Sequence, residues 1–322
     1  MPPAGRVFAP GLACLSTTPP PPVCGIAASF STAGGPADPS ALVRACGRMA
    51  PRGPDGSGLW ASPDGRAGLG HRRLAIIDLT DDGAQPMTTD DGRLAVAFNG
   101  EIYNYQALRD GLRDRGVQFR SSSDTEVLLH LYREKGEAFV AELRGLFAFA
   151  LWDGERGGLL LARDPYGIKP LYVVDDGKTF RAASQVRALL DGGGVDTAPD
   201  PAGHAGFFLW GHVPEPHTLY RGIRAFPPGH TQWVDGGGAR RHRPFATLNG
   251  ALRQAEREAP AVSAPPSELD AAVRDALLDT VRAHLVADVD VFLSAGRDST
   301  TLAVEASGRL RTVTLGLDEY RA

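Results

Sequence analysis

Four short segments of this 322-residue chain carry side chains able to do chemistry: Cys24-Gly25-Ile26, Arg52-Gly53-Pro54-Asp55, Arg73-Leu74-Ala75-Ile76-Ile77-Asp78 and Phe98-Asn99-Gly100-Glu101-Ile102-Tyr103-Asn104. A fifth, Ser123-Asp124-Thr125-Glu126, follows them. A thiol can attack a carbonyl carbon, and an amide side chain beside a glycine N–H can donate to the oxyanion that results. A guanidinium matches a carboxylate in two-point geometry, and carboxylates hold an ammonium. That is the inventory for opening an amide bond on a substrate with charged ends. Each segment alone has a plainer explanation. Asn99-Gly100 is also a hairpin turn, Asp124 also a charge favourable to a helix dipole, and Arg52 with Asp55 also an ion pair bracing a site floor. Arg72 and Arg73 sit side by side on a strand, so only one of them can enter a pocket.

The elements that must carry these groups follow from periodicity. Asp38-Pro39 starts a helix with Leu42, Ala45, Cys46 and Met49 on one face, which makes Cys46 a core residue. Residues 68–78 and 94–98 read as strands, the second closing on an Asn99-Gly100 turn. Tyr105, Leu108 and Leu112 form a helical stripe. Ser123 and Glu126 make a capping box for a helix that stops at Gly136. Strands return where Phe147, Phe149 and Leu151 alternate with small residues, at Leu159–Leu161, and at 171–174 after a Tyr166-Gly167 turn. Layered sheets flanked by helices are the packing this order favours.

Composition sets the bounds. A hydrophobic share of 43% and a charged share of 22% describe a globular chain with a sizeable core. The net charge of -4 argues against nucleic acid, and no apolar run of about 20 residues offers a membrane helix. Cys14, Cys24 and Cys46 show no metal-ligand spacing and suit a reducing cytosol, so a cytoplasmic protein is expected.

The five segments, in this order over about 100 residues, resemble the glutaminase domain of asparagine synthetases, a class II amidotransferase. The resemblance covers roughly residues 24 to 235, with further similarity in Arg163-Asp164-Pro165-Tyr166-Gly167-Ile168-Lys169-Pro170-Leu171-Tyr172 and Pro227-Pro228-Gly229-His230. Gln185 stands where relatives commonly carry glutamate. The resemblance implies an α+β fold, the four-layer αββα N-terminal-nucleophile amidotransferase domain, over 24–244. It makes Cys24 the nucleophile, whose own amine, with a pKa of about 7.7–8.0, serves as the base when that residue is first in the chain. Asn99 and Gly100 become the oxyanion donors. Arg73 becomes the partner of the glutamine carboxylate, with Leu74, Ala75, Ile76 and Ile77 as neighbouring wall, and Glu101 and Asp124 receive the ammonium. No metal or cofactor is expected for this step. Residues 1–23, with seven prolines, are expected to be a disordered leader or a mis-assigned start, because a GUG codon at Val23 could be the true initiator.

A linker is expected over 245–266, followed by a helix capped by Ser267 and Asp270 and bearing Leu269, Val273, Leu277, Val281 and Leu285. The apolar strand 289–293 then enters Ser294-Ala295-Gly296-Arg297-Asp298-Ser299, a loop suited to phosphate. It resembles the pyrophosphate loop that opens the family's α/β PP-loop, adenine nucleotide alpha hydrolase-like synthetase domain. That resemblance implies ATP with Mg2+ held by Leu293, Ser294, Ala295, Gly296, Asp298, Ser299 and Leu315. Ala295 replaces a family glycine and Arg297 an apolar residue, while Leu293 and Leu315 could equally be core. Residues 267–322 are expected to be a truncated part of that domain, with apolar faces left exposed. The resulting expectation is a fragment of a glutamine-dependent asparagine synthetase, with glutamine, aspartate and ATP as partners and a homodimer as a compatible assembly. Another carboxylate acceptor, or a non-catalytic glutamine-binding remnant, are the alternatives.

Overall fold

Rows of alanine let two antiparallel sheets stack closely. The structure, a computed structural model, describes residues 23–258, 265–286, 289–294, 296–305 and 310–314. The first sheet contains β1 (Gly25–Ser31), β2 (Gly56–Ala61), β3 (Ala67–Arg73), β8 (Tyr172–Asp175), β9 (Thr179–Ala183) and β10 (Arg224–Ala225), in the spatial order β10-β8-β9-β1-β3-β2. The second contains β4 (Met87–Thr88), β5 (Leu94–Ile102), β6 (Gly145–Asp153), β7 (Gly158–Arg163), β11 (His230–Asp235) and β12 (Gly238–Ala239), in the order β12-β11-β7-β6-β5-β4, with β13 (Arg243–Pro244) also on β11. Ala28, Ala95, Ala97, Ala148 and Ala150 fill the space between the sheets with Ile26, Phe30, Leu69 and Leu161.

Helices cover both outer faces. Helices α1 (Pro39–Arg48) and α4 (Val186–Gly192) lie on the first sheet, where Leu42, Ala45, Cys46 and Met49 meet Ala188 and Leu189. Helices α2 (Tyr105–Asp114) and α3 (Asp124–Lys135) lie on the second, packing Leu112, Val127, Leu128 and Leu131 against Phe98, Phe147 and Phe149. The expected α+β, four-layer αββα architecture is therefore the observed one. Asp38 caps α1 by accepting from the Ser40 N–H at 2.8 Å, with Pro39 at the first helical position.

Several local expectations change. Strand β3 ends at Arg73 instead of running to residue 78, because Leu74–Asp78 are drawn away by contacts described below. Asn99-Gly100 is no turn: β5 continues through it, pairing Asn99 with Ala148 and Gly100 with Phe147. Ser123 does cap α3, but through Thr125 N–H at 3.2 Å. Glu126 instead accepts from the Arg120 and Ser121 N–H groups and the Ser121 hydroxyl, so the reciprocal half of the capping box is missing.

The stretch read as a linker contains the exposed helix α6 (Leu248–Glu258), which follows α5 (Pro201–Trp210) in chain order. Helix α7 (Pro266–His284) begins without a side-chain cap. Its last turns rest on the layered body, where Val281 is buried, His284 meets the Tyr103 ring at 4.5 Å and Asp279 pairs with Arg144. Beyond it, β14 (Val289–Phe292) and β15 (Leu310–Val313) form a parallel pair with α8 (Arg297–Glu305) between them. Phe292 and Val304 are exposed there. No helix among the described residues is long and apolar enough to cross a membrane.

Phe149 is fully buried and packs its ring 5.8 Å from Phe139 and 6.0 Å from Phe147. Phe149→Ala should therefore cost about 3–5 kcal/mol in urea unfolding, with the m-value unchanged.

Candidate active site

The sequence segments converge where β1 begins and β5 ends. Cys24 immediately precedes β1, and its thiol lies against the backbone of the residue that follows β3. The Leu74 N–H donates to Sγ at 3.3 Å, and Sγ–H reaches the Leu74 carbonyl at 3.4 Å. Arg52 Nε donates to the Cys24 carbonyl at 3.0 Å. Burial pushes the thiol's pKa up and nearby Asp124 adds to the rise, while the Leu74 backbone bond, Lys169 and Arg73 oppose it. A protonated, partly shielded thiol of this kind needs a base to become a nucleophile.

Two residues of the Arg52–Asp55 segment hold the opposite side. Gly53 passes so close to β3 that a Cβ there would lie 2.3 Å from the Arg72 carbonyl carbon. Asp55 accepts from the Ala75 N–H at 2.9 Å, while its own N–H donates to the Arg73 carbonyl at 3.0 Å. Arg52 and Asp55 thus brace the site on different partners, and no ion pair joins them among the described residues. These contacts explain why the chain leaves the sheet at Arg73.

A cavity opens beside Cys24, walled by Arg73, Leu74, Ile76, Ile77, Gly100, Glu101 and Asp124, with Asp78, Gly83 and Gln85 at its margin. Of the predicted site residues, Ala75 and Asn99 are not part of that wall. Arg72 turns the other way and donates to the Cys46 carbonyl at 2.9 Å. The Arg73 guanidinium instead donates to the carbonyls of Thr80, at 2.8 Å, and Asp78. Asp78 secures the same loop by accepting from Thr80 and Ser122. Asn99 is fully buried, and neither its amide nitrogen nor its oxygen has a hydrogen-bond partner among the described residues. On β5 it shares the inter-sheet side with Ala95 and Ala97. Gly100 allows close approach of β6, since a Cβ there would sit 2.2 Å from the Leu146 carbonyl oxygen.

Asp124 is buried at the first turn of α3 and accepts from the Ile102 N–H at 2.9 Å, which ties that helix to the end of β5. Burial raises its pKa to about 7, with Glu101 pushing the same way and the Ile102 N–H resisting. Three further residues stand at the site although the resemblance assigned them no role. His71 is buried between the sheets with Nε2 3.0 Å from the Phe98 carbonyl, and burial lowers its pKa to about 4, so the neutral ring donates that bond. Gln85 accepts from the Phe98 N–H at 2.7 Å and donates to Thr125 at 3.2 Å. Lys169 has its pKa lowered by burial and raised in turn by Glu101 and Cys24, which places its ammonium in their field. Its loop is fixed by Asp164, which accepts from the N–H groups of Tyr166, Ile168 and Lys169, each at 3.0 Å.

The predicted nucleotide residues lie apart from this cavity. Leu293 N–H donates to the Val313 carbonyl, and the loop is knotted by hydroxyls: Ser294 N–H to Ser299 Oγ at 3.1 Å and Gly296 N–H to Ser294 Oγ at 3.2 Å. Asp298 is exposed in the first turn of α8. Ala295 and Leu315 lie outside the described residues.

A family model described as glutamine amidotransferase domain matches residues 23–245. The chain belongs to that family. Its amidotransferase domain has curated relatives with longer chains. Glutamine-hydrolyzing asparagine synthetase 1 of Bacillus subtilis is 35% identical over 88% of this chain and 44% of its own length. Asparagine synthetase B of Escherichia coli is 37% identical over 79% and 39%. Amidase chry2 of Gibberella zeae is 34% identical over 79% and 37%. The chain spans less than half the length of these relatives. The solved glutamine phosphoribosylpyrophosphate amidotransferase of Bacillus subtilis shares the fold, with a TM-score of 0.52 at 20% identity over 90% of this chain and 65% of that one.

Between pH 4 and 7 the folded Asp124 keeps a proton that the unfolded chain has released, so stability falls as pH rises through that window and the full penalty applies above it. Asn in its place can still accept from Ile102. Asp124→Asn should therefore melt about 5 °C higher than the parent at pH 8, with the difference vanishing near pH 4 by calorimetry.

Proposed function

We propose that the amidotransferase domain hydrolyses glutamine at Cys24. The observation that carries this reading is the thiol held at Leu74 on the rim of a cavity that also presents Arg73, Glu101 and Asp124. Arg73 takes the substrate carboxylate, and its tether to the Asp78–Thr80 loop fixes the approach of its remaining N–H groups. Leu74, Ala75, Ile76 and Ile77 border the substrate, and Glu101 with Asp124 accepts its ammonium. Sulfur attacks the side-chain amide carbon. Asn99, whose buried amide is otherwise unpartnered, donates with the Gly100 N–H to the resulting oxyanion. The base is the Cys24 α-amine, set free by removal of residues 1–23; it passes the thiol proton to the departing ammonia, and water then opens the thioester. The free thiols of Cys24 and Cys46 suit a cytoplasmic setting.

The ammonia serves an ATP-dependent amidation of aspartate, a reading supported by similarity to the two bacterial asparagine synthetases. Residues 267–322 belong to the ATP-using part. The loop fits phosphate, because the Ser294 and Gly296 N–H groups are satisfied only by exposed hydroxyls that phosphate oxygens can replace. Ser294, Gly296 and Ser299 would hold the phosphates. Among the described residues no cluster of acids, histidines or cysteines forms a metal cage, so Mg2+ would arrive with the nucleotide and meet Asp298. A second reading, transfer of ammonia to a different carboxylate, is kept because one similar enzyme is named as an amidase and not as an asparagine synthetase.

A chain trimmed to begin at Cys24 should release ammonia from glutamine, while the same chain with residues 1–23 retained or with Cys24→Ala should not. Arg73→Ala should raise the glutamine KM about 100-fold, the loss of two charge-assisted hydrogen bonds. Turnover that survives Cys24→Ala, or an Arg73→Ala effect confined to kcat, would contradict the assignment.

A further inference from the structure

One carboxylate joins the two ends of the candidate substrate site. Asp78 is buried at the margin of the cavity, and each of its oxygens serves a different segment of chain. Oδ1 accepts from the N–H and the hydroxyl of Thr80, at 2.9 and 2.6 Å. Those bonds shape the loop around Arg73, whose guanidinium donates to the Asp78 and Thr80 carbonyls and leaves no room for a side chain at Gly83. Oδ2 accepts from the N–H and the hydroxyl of Ser122, each at 2.9 Å and 44 residues further along the chain. Ser122 stands two residues before Asp124. Arg109, itself buried, pins that segment by donating to the Ser121 and Ser123 carbonyls, each at 2.7 Å. Burial raises the Asp78 pKa, but the donors of Thr80 and Ser122 bring it down to about 2, so the link is charged throughout the neutral range.

We infer that Asp78 is a positioning residue: it sets the distance between Arg73 and Asp124, and thereby makes the site selective for a free α-amino acid. That role rests on the proposed reading of those two residues as receptors for the glutamine carboxylate and ammonium. In an α-amino acid both charges hang from one carbon, so their separation is fixed. Two receptors held at the matching separation take both ends for one loss of freedom, whereas receptors free to drift take them as two weaker events. Asp78 supplies the match because its two oxygens belong to one rigid group. A second tie runs from Gln85 to Thr125 at 3.2 Å, near the far end of the same loop. It keeps the loop on α3 when Asp78 is altered, but the Gln85 amide bonds only Thr125 and Phe98 among the described residues. The placing of the Arg73 guanidinium therefore falls to Asp78.

Calorimetric titration of the full chain with glutamine and with 5-amino-5-oxopentanoate, which is glutamine without its ammonium, tests this role. The parent should bind glutamine more tightly. In Asp78→Asn, whose amide can accept at only one of the two ends, that preference should fall about tenfold. Ser122→Ala leaves Asp78 and the backbone N–H bond in place and should lower the preference about threefold. A loop anchor with no part in the spacing would weaken both ligands by the same factor and leave the preference intact. That result, or an unchanged preference in Asp78→Asn beside a parent that has it, would overturn the proposal alone. A parent without the preference would overturn the glutamine reading of the cavity and this proposal with it. Binding is read here and not turnover, so a failure of hydrolysis at Cys24 is a separate result.

Discussion

The departure of the chain from the first sheet at Arg73 is the constraint on which the candidate site rests. Were β3 to continue as its apolar sequence suggests, Leu74, Ile76 and Ile77 would pair or pack and leave no cavity. Three contacts prevent this: Gly53 presses on the Arg72–Arg73 peptide, Asp55 takes the Ala75 N–H, and the Cys24 sulfur occupies the Leu74 N–H. Backbone groups that would have entered a ladder are thus satisfied locally, which is the condition for any strand to end inside a folded body. The nucleophile candidate is one of the groups that ends it.

Electrostatics make the same cavity costly without a ligand. Glu101 and Asp124 share one side, and burial of Asp124 beside another acid lifts its pKa to about 7. Lys169 shows the complementary effect of burial on a cation, although Glu101 and Cys24 draw it back. On the proposed reading, a zwitterionic amino acid supplies what is missing: its ammonium reaches the paired carboxylates and its carboxylate reaches Arg73. Binding then relieves self-repulsion as well as adding contacts, because the Asp124 carboxyl becomes ionised against an opposite charge. The unpartnered Asn99 amide belongs to the same pattern, a buried polar group held ready at a cost to folding.

Much of this was legible in the sequence, for identifiable reasons. The helix beginning at Asp38-Pro39 rests on a local cap, and the layering of sheets flanked by helices on alternation of apolar residues, while the αββα order came only with the family resemblance. Arg73 could be separated from Arg72 only through motif resemblance, yet strand geometry required that one of the two turn away, and Arg72 does. Failures came where a distant contact overrides local preference. Asn99-Gly100 has turn chemistry, but nine register pairs with β6 carry β5 straight through it. Glu126 has capping-box spacing but finds three better donors in residues 120 and 121. Lys169, Gln85 and His71 received no role from spacing or resemblance, since what places them at the site is loop closure and sheet stacking.

The stacking itself sets how the site can be built. Alanine at 28, 95, 97, 148 and 150 brings the sheets close, so a larger polar residue can be accommodated only where the strands run out. Asn99 and Glu101 occupy successive positions on that same side of β5 toward its end, Tyr103 follows just past it, and Cys24 stands immediately before β1. The polar row therefore begins where the alanine row stops. Its far member, Tyr103, keeps a buried hydroxyl without a described partner while its ring meets His284 of α7. Helix α7 thus touches the residue that directly follows the strand carrying Asn99 and Glu101. A close-packed sheet pair is a stiff scaffold, and the polar site groups gather where its alanine packing stops.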